Sequence, residues 1–251
     1  MQYTLVLAFA VLGALIGSFV GVVSERAFTG QSWARGRSRC NSCKEVLTVR
    51  DLIPVFSWLM HKGACRHCGS RVPGLYALYE LSLAIAFAAA YMTLGIGIPL
   101  LIFLAALTVV GFIVIYDIRH TVVPPPASTL LVAISAAFAV YTTYSLHALL
   151  VHAVLAVVVA LFFFSLYFFS GGRAMGLGDT PVAFALSLLV GGQAISGLLF
   201  SFWIGAVIGV LILVYRRRGL TMGIEVPFVP FMALGYLLAF FTQWHPLPFY
   251  W

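Results

Sequence analysis

Charge is scarce in this sequence. Lysine, arginine, aspartate and glutamate make up 8% of its 251 residues against 63% hydrophobic ones, too little polar surface to cover a water-soluble domain of that size. A soluble globular enzyme or binding module is thereby excluded. Acidic residues are the rarest charged class, seven in all: Glu25, Glu45, Asp51, Glu80, Asp117, Asp179 and Glu225. The four cysteines all fall between residues 40 and 68. The N-terminus lacks the basic region and small-residue cleavage site of a signal peptide, so residues 2–24 read as a retained helix. No repeat period and no low-complexity tract is present.

What fills the chain instead is apolar runs near the length of about 20 residues that crosses a hydrocarbon core. They lie at 2–24, 75–94, 99–116, 127–146, 147–169, 180–190, 194–215 and 226–243, which predicts an all-α polytopic membrane protein of about eight transmembrane helices, with lipid as its solvent. The short run at 180–190 also fits a re-entrant segment. Three regions follow: a first transmembrane helix (1–24), a polar loop domain (25–73) and a helical bundle (74–251). Nine of the 14 basic residues lie between Arg26 and Arg71, and the rest are Arg119, Arg173 and Arg216 to Arg218. All flank apolar segments. The net charge of +7 is therefore a positive-inside signal and not a nucleic-acid footprint; it places the loop in the cytoplasm and the N-terminus outside.

The cysteines form two pairs, Cys40-Asn-Ser-Cys43 and Cys65-Arg-His-Cys68. Two such knuckles supply four thiolates to one tetrahedral Zn²⁺, a closed structural site. Arg39, Lys44 and Arg66 favour thiolate over thiol. The competing readings are two disulfides, which a reducing cytoplasm disfavours, and four unligated thiols. His61 and His67 read as solvated loop residues. A metal would fold a segment too small to bury its own core.

Of the acids, Glu45 and Asp51 belong to the basic loop. Asp117 and Asp179 instead sit against apolar segments, where an ionised group is expensive. Asp117 closes one helix and Asp179 opens another, and the predicted topology brings both to the cytoplasmic boundary. Two close carboxyls share a proton, which supplies a base for water and an acid for a peptide carbonyl. Gly176 and Gly178, just before Asp179, remove side chains where a substrate strand approaches the backbone. The bland alternative makes both aspartates interfacial caps. A proton-coupled transporter is the rival class, but relays of that kind use midplane acids and repeated, interrupted helices, and neither is present. His147 and His152 fall near the outer face, as structural residues.

Five separated motifs then carry a resemblance: Gly17-Ser-Phe, the cysteine pairs around Asp51-Leu-Ile-Pro-Val-Phe-Ser-Trp58, the Asp117 helix, Gly176-Leu-Gly-Asp179, and Glu225-Val-Pro-Phe-Val-Pro-Phe231. Their order and spacing resemble the type IV prepilin peptidases. The resemblance implies a GxGD aspartyl peptidase of the bacterial inner membrane with its active site facing the cytoplasm. It would cleave the short basic leader of type IV prepilins or pseudopilins after glycine, with Asp117 and Asp179 catalytic. It also implies N-methylation of the new terminus with S-adenosylmethionine, or peptidase activity alone, and zinc on Cys40, Cys43, Cys65 and Cys68. Glu80 and Glu225 match acidic positions of the family, for binding the leader's basic residues or aiding methyl transfer. Gly21, Pro181 and Val123-Pro-Pro125 depart from its usual Asn, Lys and Leu-Pro-Asp.

Overall fold

The computed structural model describes residues 2–32, 36–173, 175–216 and 227–244. Arg35, Arg217, Arg218, Glu225 and Val226 lie outside these described residues. Among the described residues nine α-helices follow in order: α1 Gln2–Thr29, α2 Phe56–Met60, α3 Leu75–Leu94, α4 Ile98–His120, α5 Pro125–Thr142, α6 Leu146–Ser170, α7 Asp179–Val190, α8 Ala194–Arg216 and α9 Val229–Thr242. Among the described residues there is no β-strand, only two isolated bridges in the loop. Each of the eight apolar runs has become a helix. Among the described residues six helical stretches are long and apolar enough to cross a membrane, with Asp179–Ile212 counted as one. The chain divides into two compact units, Met1–Leu100 and Leu101–Trp251.

In the first unit α1 and α3 run antiparallel, with Phe9 stacked on Tyr91 at 4.8 Å near one end and Gly17 against Glu80 toward the other. A glycine row makes this approach possible. A Cβ on Gly13 would collide with the Leu83 carbonyl oxygen, and one on Gly17 would come 2.9 Å from Glu80 Cα. Helices in lipid associate by such close packing, because apolar burial alone gives no preference for helix over tail. The helix α1 also runs five residues past the predicted boundary, to Thr29, so that Glu25 and Arg26 sit on its last turns. Between α1 and α3 the loop closes around Trp58, whose indole N–H donates to Val72 O at 3.0 Å and whose ring underlies Gly63 and Gly74.

In the second unit the contacts fix helix directions. Phe103 stacks on Phe240 at 4.4 Å while Asp117 meets the start of α9, so α4 and α9 are antiparallel. Phe163 lies 5.9 Å from Phe228, and His152 lies under Gly191, so α6 is antiparallel to both α7 and α9. Tyr236 hydrogen-bonds Ser187 of α7 at 2.8 Å and packs on Gly197 of α8. One ring thus touches both arms, and the apolar stretch Asp179–Ile212 is a helical hairpin turned by the 3-10 segment Gly191–Gln193. Gly191 makes this turn at φ 59°, a conformation open to glycine without steric cost.

The short helix α7 is the centre of the second unit. Every residue from Ala185 to Val190 is buried, against α5, α6, α8 and α9. At 12 residues it is about 18 Å long, well under the roughly 30 Å of a hydrocarbon core. Its second half, Ala185 to Val190, is buried on all sides and presents no face to lipid, so the helix needs no full span.

Candidate active site and metal centre

Asp117 lies in the last turn of α4 and Asp179 is the first residue of α7. Because α4 ends where α7 and α9 begin, both carboxyls stand at one end of the second unit, close enough for their charges to interact. Both are buried, at 5% and 8% exposure. Asp117 Oδ2 accepts the Val229 backbone N–H at 3.2 Å, one of the unpaired donors at the N-terminus of α9. Asp179 Oδ2 accepts the Gly176 N–H at 3.1 Å, and the Asp179 N–H returns to Gly176 O at 3.2 Å. Each carboxylate is thus held by a backbone amide at a helix start.

The two glycines before Asp179 differ. A Cβ on Gly178 would lie 2.8 Å from Val123 Cβ, in the connection that follows α4. A side chain at Gly178 is therefore opposed by packing within the chain. A Cβ on Gly176 would meet nothing closer than Asp179 Oδ2 at 3.6 Å, which leaves that side open. Motif reading passed over two further groups. Val229 is one, visible in the sequence only as the Val-Pro pair that opens a helix, since Pro230 takes an early position where its missing N–H costs nothing. The second is Thr180, whose hydroxyl is buried beside Asp179 without a hydrogen-bond partner among the described residues.

The four cysteines converge in the first unit. Their sulfurs all lie within 4.8 Å of one another, with Cys40 and Cys68 at 3.9 Å, and none is in a disulfide. Tetrahedral zinc with Zn–S bonds of about 2.3 Å would set sulfurs roughly 3.8 Å apart. The cluster therefore has the donor set and spacing to hold a metal ion. Its two halves are built alike. Cys40 N–H donates to Glu45 O at 2.9 Å and Cys65 N–H to Ser70 O at 2.8 Å, and the residue after each second cysteine, Lys44 or Gly69, turns left-handed at φ 61° or 69°. Backbone N–H groups of Cys43 and Ser42, with the Ser70 hydroxyl, bring the Cys40 thiol down to about 6. The Ser70 hydroxyl and backbone N–H lower Cys68 in the same way. The Glu45 N–H pulls Cys43 down too, but desolvation and the neighbouring sulfurs outweigh it and push that thiol to about 11.

Asp51 is paired. It accepts the Thr48 N–H at 2.8 Å and the Thr48 hydroxyl at 2.7 Å and bridges Arg66 at 3.0 Å, which ties the loop to the second knuckle. Desolvation raises its carboxyl, yet the Thr48 donors and the Arg66 charge together hold it below the ordinary range. Glu80 belongs to the same unit. Its Oε2 accepts the Val55 N–H at 2.6 Å, and Val55 has φ 61°, an unusual conformation for a β-branched residue. Glu225 lies outside the described residues.

Residues 11–94 match the Bacterial Peptidase A24 N-terminal domain. The chain is 32% identical over 83% of its length to a prepilin leader peptidase/N-methyltransferase of Myxococcus xanthus, spanning 63% of that protein. It is 30% identical over 92% of its length to a type 4 prepilin-like proteins leader peptide-processing enzyme of Escherichia coli, spanning 91% of that protein. A Bacillus subtilis prepilin leader peptidase/N-methyltransferase is 34% identical over 45% of the chain and 46% of its own length. No solved structure matches the chain. With near end-to-end similarity to the Escherichia coli enzyme, this membrane protein belongs to the prepilin leader peptidase family.

Proposed function

We propose that this chain is an aspartyl endopeptidase of the bacterial inner membrane. It cleaves the short basic leader of type IV prepilins or pseudopilins after glycine, at the cytoplasmic face, and then methylates the new N-terminal residue with S-adenosylmethionine. The observation that carries the reading is the meeting of Asp117 and Asp179, from α4 and α7, at one end of the second unit. The orientation follows from the basic residues, which flank the apolar segments on the side of the cysteine loop.

Two neighbouring carboxyls hold one proton between them. The ionised member takes a proton from water as the oxygen attacks the scissile carbonyl carbon, while the protonated member donates to the carbonyl oxygen. As the C–N bond breaks, its electron pair stays on nitrogen, the proton taken from water goes to the leaving amine, and the proton given to the carbonyl oxygen returns to the dyad. The amide donors from Val229 and Gly176 fix the carboxyl planes before substrate arrives, so little reorganisation remains. The scissile peptide must be extended at the dyad, and a glycine there lowers the cost of leaving a helix.

Cys40, Cys43, Cys65 and Cys68 would hold Zn²⁺ in a structural role, with no position left for substrate. In methyl transfer, the lone pair of the new terminal amine attacks the methyl carbon; the C–S bond breaks with its electrons on sulfur, and the amine's extra proton goes to solvent. The test is processing of a purified precursor. Asp117→Asn and Asp179→Asn should each leave the leader attached while retaining wild-type helicity, and full cleavage by either variant refutes the dyad. Mass spectrometry of the mature N-terminus reports the cleavage site and any added methyl group together. An unmethylated product confines the enzyme to proteolysis.

A further inference from the structure

The loop segment from Val49 to Lys62 keeps its fixed contacts on one side and shows apolar side chains on the other. In α2, Trp58 turns inward to Val72 O, and just past the helix His61 Nδ1 lies 2.8 Å from Ser57 O. Phe56, Leu59 and Met60 share the face opposite Trp58, at i, i+3 and i+4, and are 55%, 60% and 64% exposed. Leu52 and Ile53, in the turn before α2, are exposed as well. Arg50 and Lys62, both exposed, stand at the two ends of the segment. Clustered apolar side chains of this kind, rimmed by charge, mark a surface that meets something other than water.

Its depth identifies the partner. The helix α3 has 20 residues and is about 30 Å long, no more than the hydrocarbon core it crosses, so its first turn stands at the edge of that core. Glu80, in its second turn, lies about 8 Å further in. Gly17 packs against Glu80 from α1, inside the apolar run that ends at Ser24, so both helices give the same level. Beyond it they part, and a Cβ on Gly21 would meet nothing within 4 Å. The Val55 N–H donates to Glu80 Oε2 at 2.6 Å, so the loop dips back toward the core directly before α2. Even a Glu80 side chain reaching toward the headgroups keeps Val55 near the core's edge. A face tied at this depth stands at the boundary of headgroups and acyl chains, into which amphipathic segments sink by about 5–10 Å.

The precursor's own apolar helix is the other occupant of matching polarity. Its leader is basic in the reading above, however, and Arg50 and Lys62 would repel it, whereas the phosphates of anionic lipids attract them. We infer that residues 49–62 form an interfacial anchor. Leu52, Ile53, Phe56, Leu59 and Met60 face the acyl boundary of the surrounding bilayer, and Arg50 and Lys62 meet anionic headgroups. The inference needs membrane residence and no step of the peptidase chemistry. Since α2 runs through Gly63 directly into Cys65, the anchor holds the second cysteine pair close to the lipid surface.

The experiment maps lipid contact on the purified full chain in nanodiscs of phosphatidylethanolamine and phosphatidylglycerol. A trace lipid carries a diazirine near the carboxyl end of one acyl chain. After illumination, mass spectrometry of the wild-type chain should find adducts on residues 52–60 and on the exposed apolar residues of α6. Phe56→Ser, Leu59→Ser and Met60→Ser combined should lower the loop adducts about tenfold, with α6 adducts and thermal midpoint as in wild type. Arg50→Gln with Lys62→Gln should lower them about threefold in these nanodiscs and leave them unchanged in phosphatidylcholine alone. Adducts on α6 with none on 52–60 overturn the inference and leave membrane residence standing; adducts on neither overturn both. Loop adducts that survive the triple substitution overturn the assignment of that face. Yields unmoved by Arg50→Gln with Lys62→Gln overturn the headgroup pairing. Loop adducts that vanish when precursor is added assign the face to the precursor and overturn the anchor too.

Discussion

Gly178 packs directly against Val123, so tightly that a methyl group on the glycine would stand 2.8 Å from the valine Cβ. Gly178 precedes Asp179 and Val123 follows the helix of Asp117, so this contact draws together the two backbones that hold the acids. Its φ of −63° and ψ of −22° are ordinary, and alanine is opposed by the valine alone. Gly178→Ala should therefore cost about 1–3 kcal/mol of overpacking and lower precursor cleavage at least tenfold. Val123→Ala in the same chain should restore much of it. A double variant no better than Gly178→Ala in a cleavage assay removes the contact as the cause.

Thr180 has a buried hydroxyl with no partner among the described residues, an arrangement that costs stability unless it serves the reaction. Thr180→Val keeps the shape and removes the unmet polar group. It should stabilise the protein by about 1–3 kcal/mol while lowering kcat, and Thr180→Ser should keep most activity. Thermal unfolding and cleavage kinetics on the three proteins check this. A valine variant with unchanged kcat would show that the hydroxyl takes no part.

Metal analysis should find about one zinc per chain, since four sulfurs at this spacing complete one tetrahedral site. Chelation or Cys43→Ser should release it and expose the loop backbone from residue 38 to 72 to hydrogen exchange. The helices of the second unit should keep their protection, because their contacts involve no cysteine. Uniform loss of protection across both units would contradict this division.

The Asp51 pairing has a defined pH sign. Its carboxyl is held below the ordinary range in the folded loop, so the pairing's contribution is fully present above the unfolded value of about 3.9 and disappears as pH falls through the folded value. The stability gap between wild type and Asp51→Asn should be constant from pH 7 to about 5 and narrow below about 3.9. Denaturant titration of the metal-loaded protein, followed by Trp58 fluorescence, measures the gap, and metal release at low pH cancels in the difference because both chains carry the same four cysteines. A gap independent of pH down to the acid limit excludes the Thr48 and Arg66 pairing as its source.

Much of the fold was legible because lipid imposes simple demands. Runs of apolar residues near 20 long can hardly be anything but helices, so all eight segments were placed, and the paired cysteines announced their own cluster. Less legible were the ends. The charged Glu25 and Arg26 suggested that α1 had stopped, yet interfacial helix continues there at little cost. The run 180–190 was too short to classify by length, and only its burial among four helices explains why it needs no more. Gly178 carried a motif without disclosing that its partner is Val123.

The sequence by itself determined that this chain lives in a membrane, which residues are its few acids and thiols, and which family it resembles, because composition and spacing are local properties. The tertiary structure decided what those residues meet. It set Asp117 under the first amide of α9, put Val123 against Gly178, turned α7 and α8 into a hairpin, and left space beside Gly21. Each of these depends on helix directions and approach distances between segments far apart in the chain. Such distances are fixed by how side chains interlock, and no periodicity along one helix encodes them.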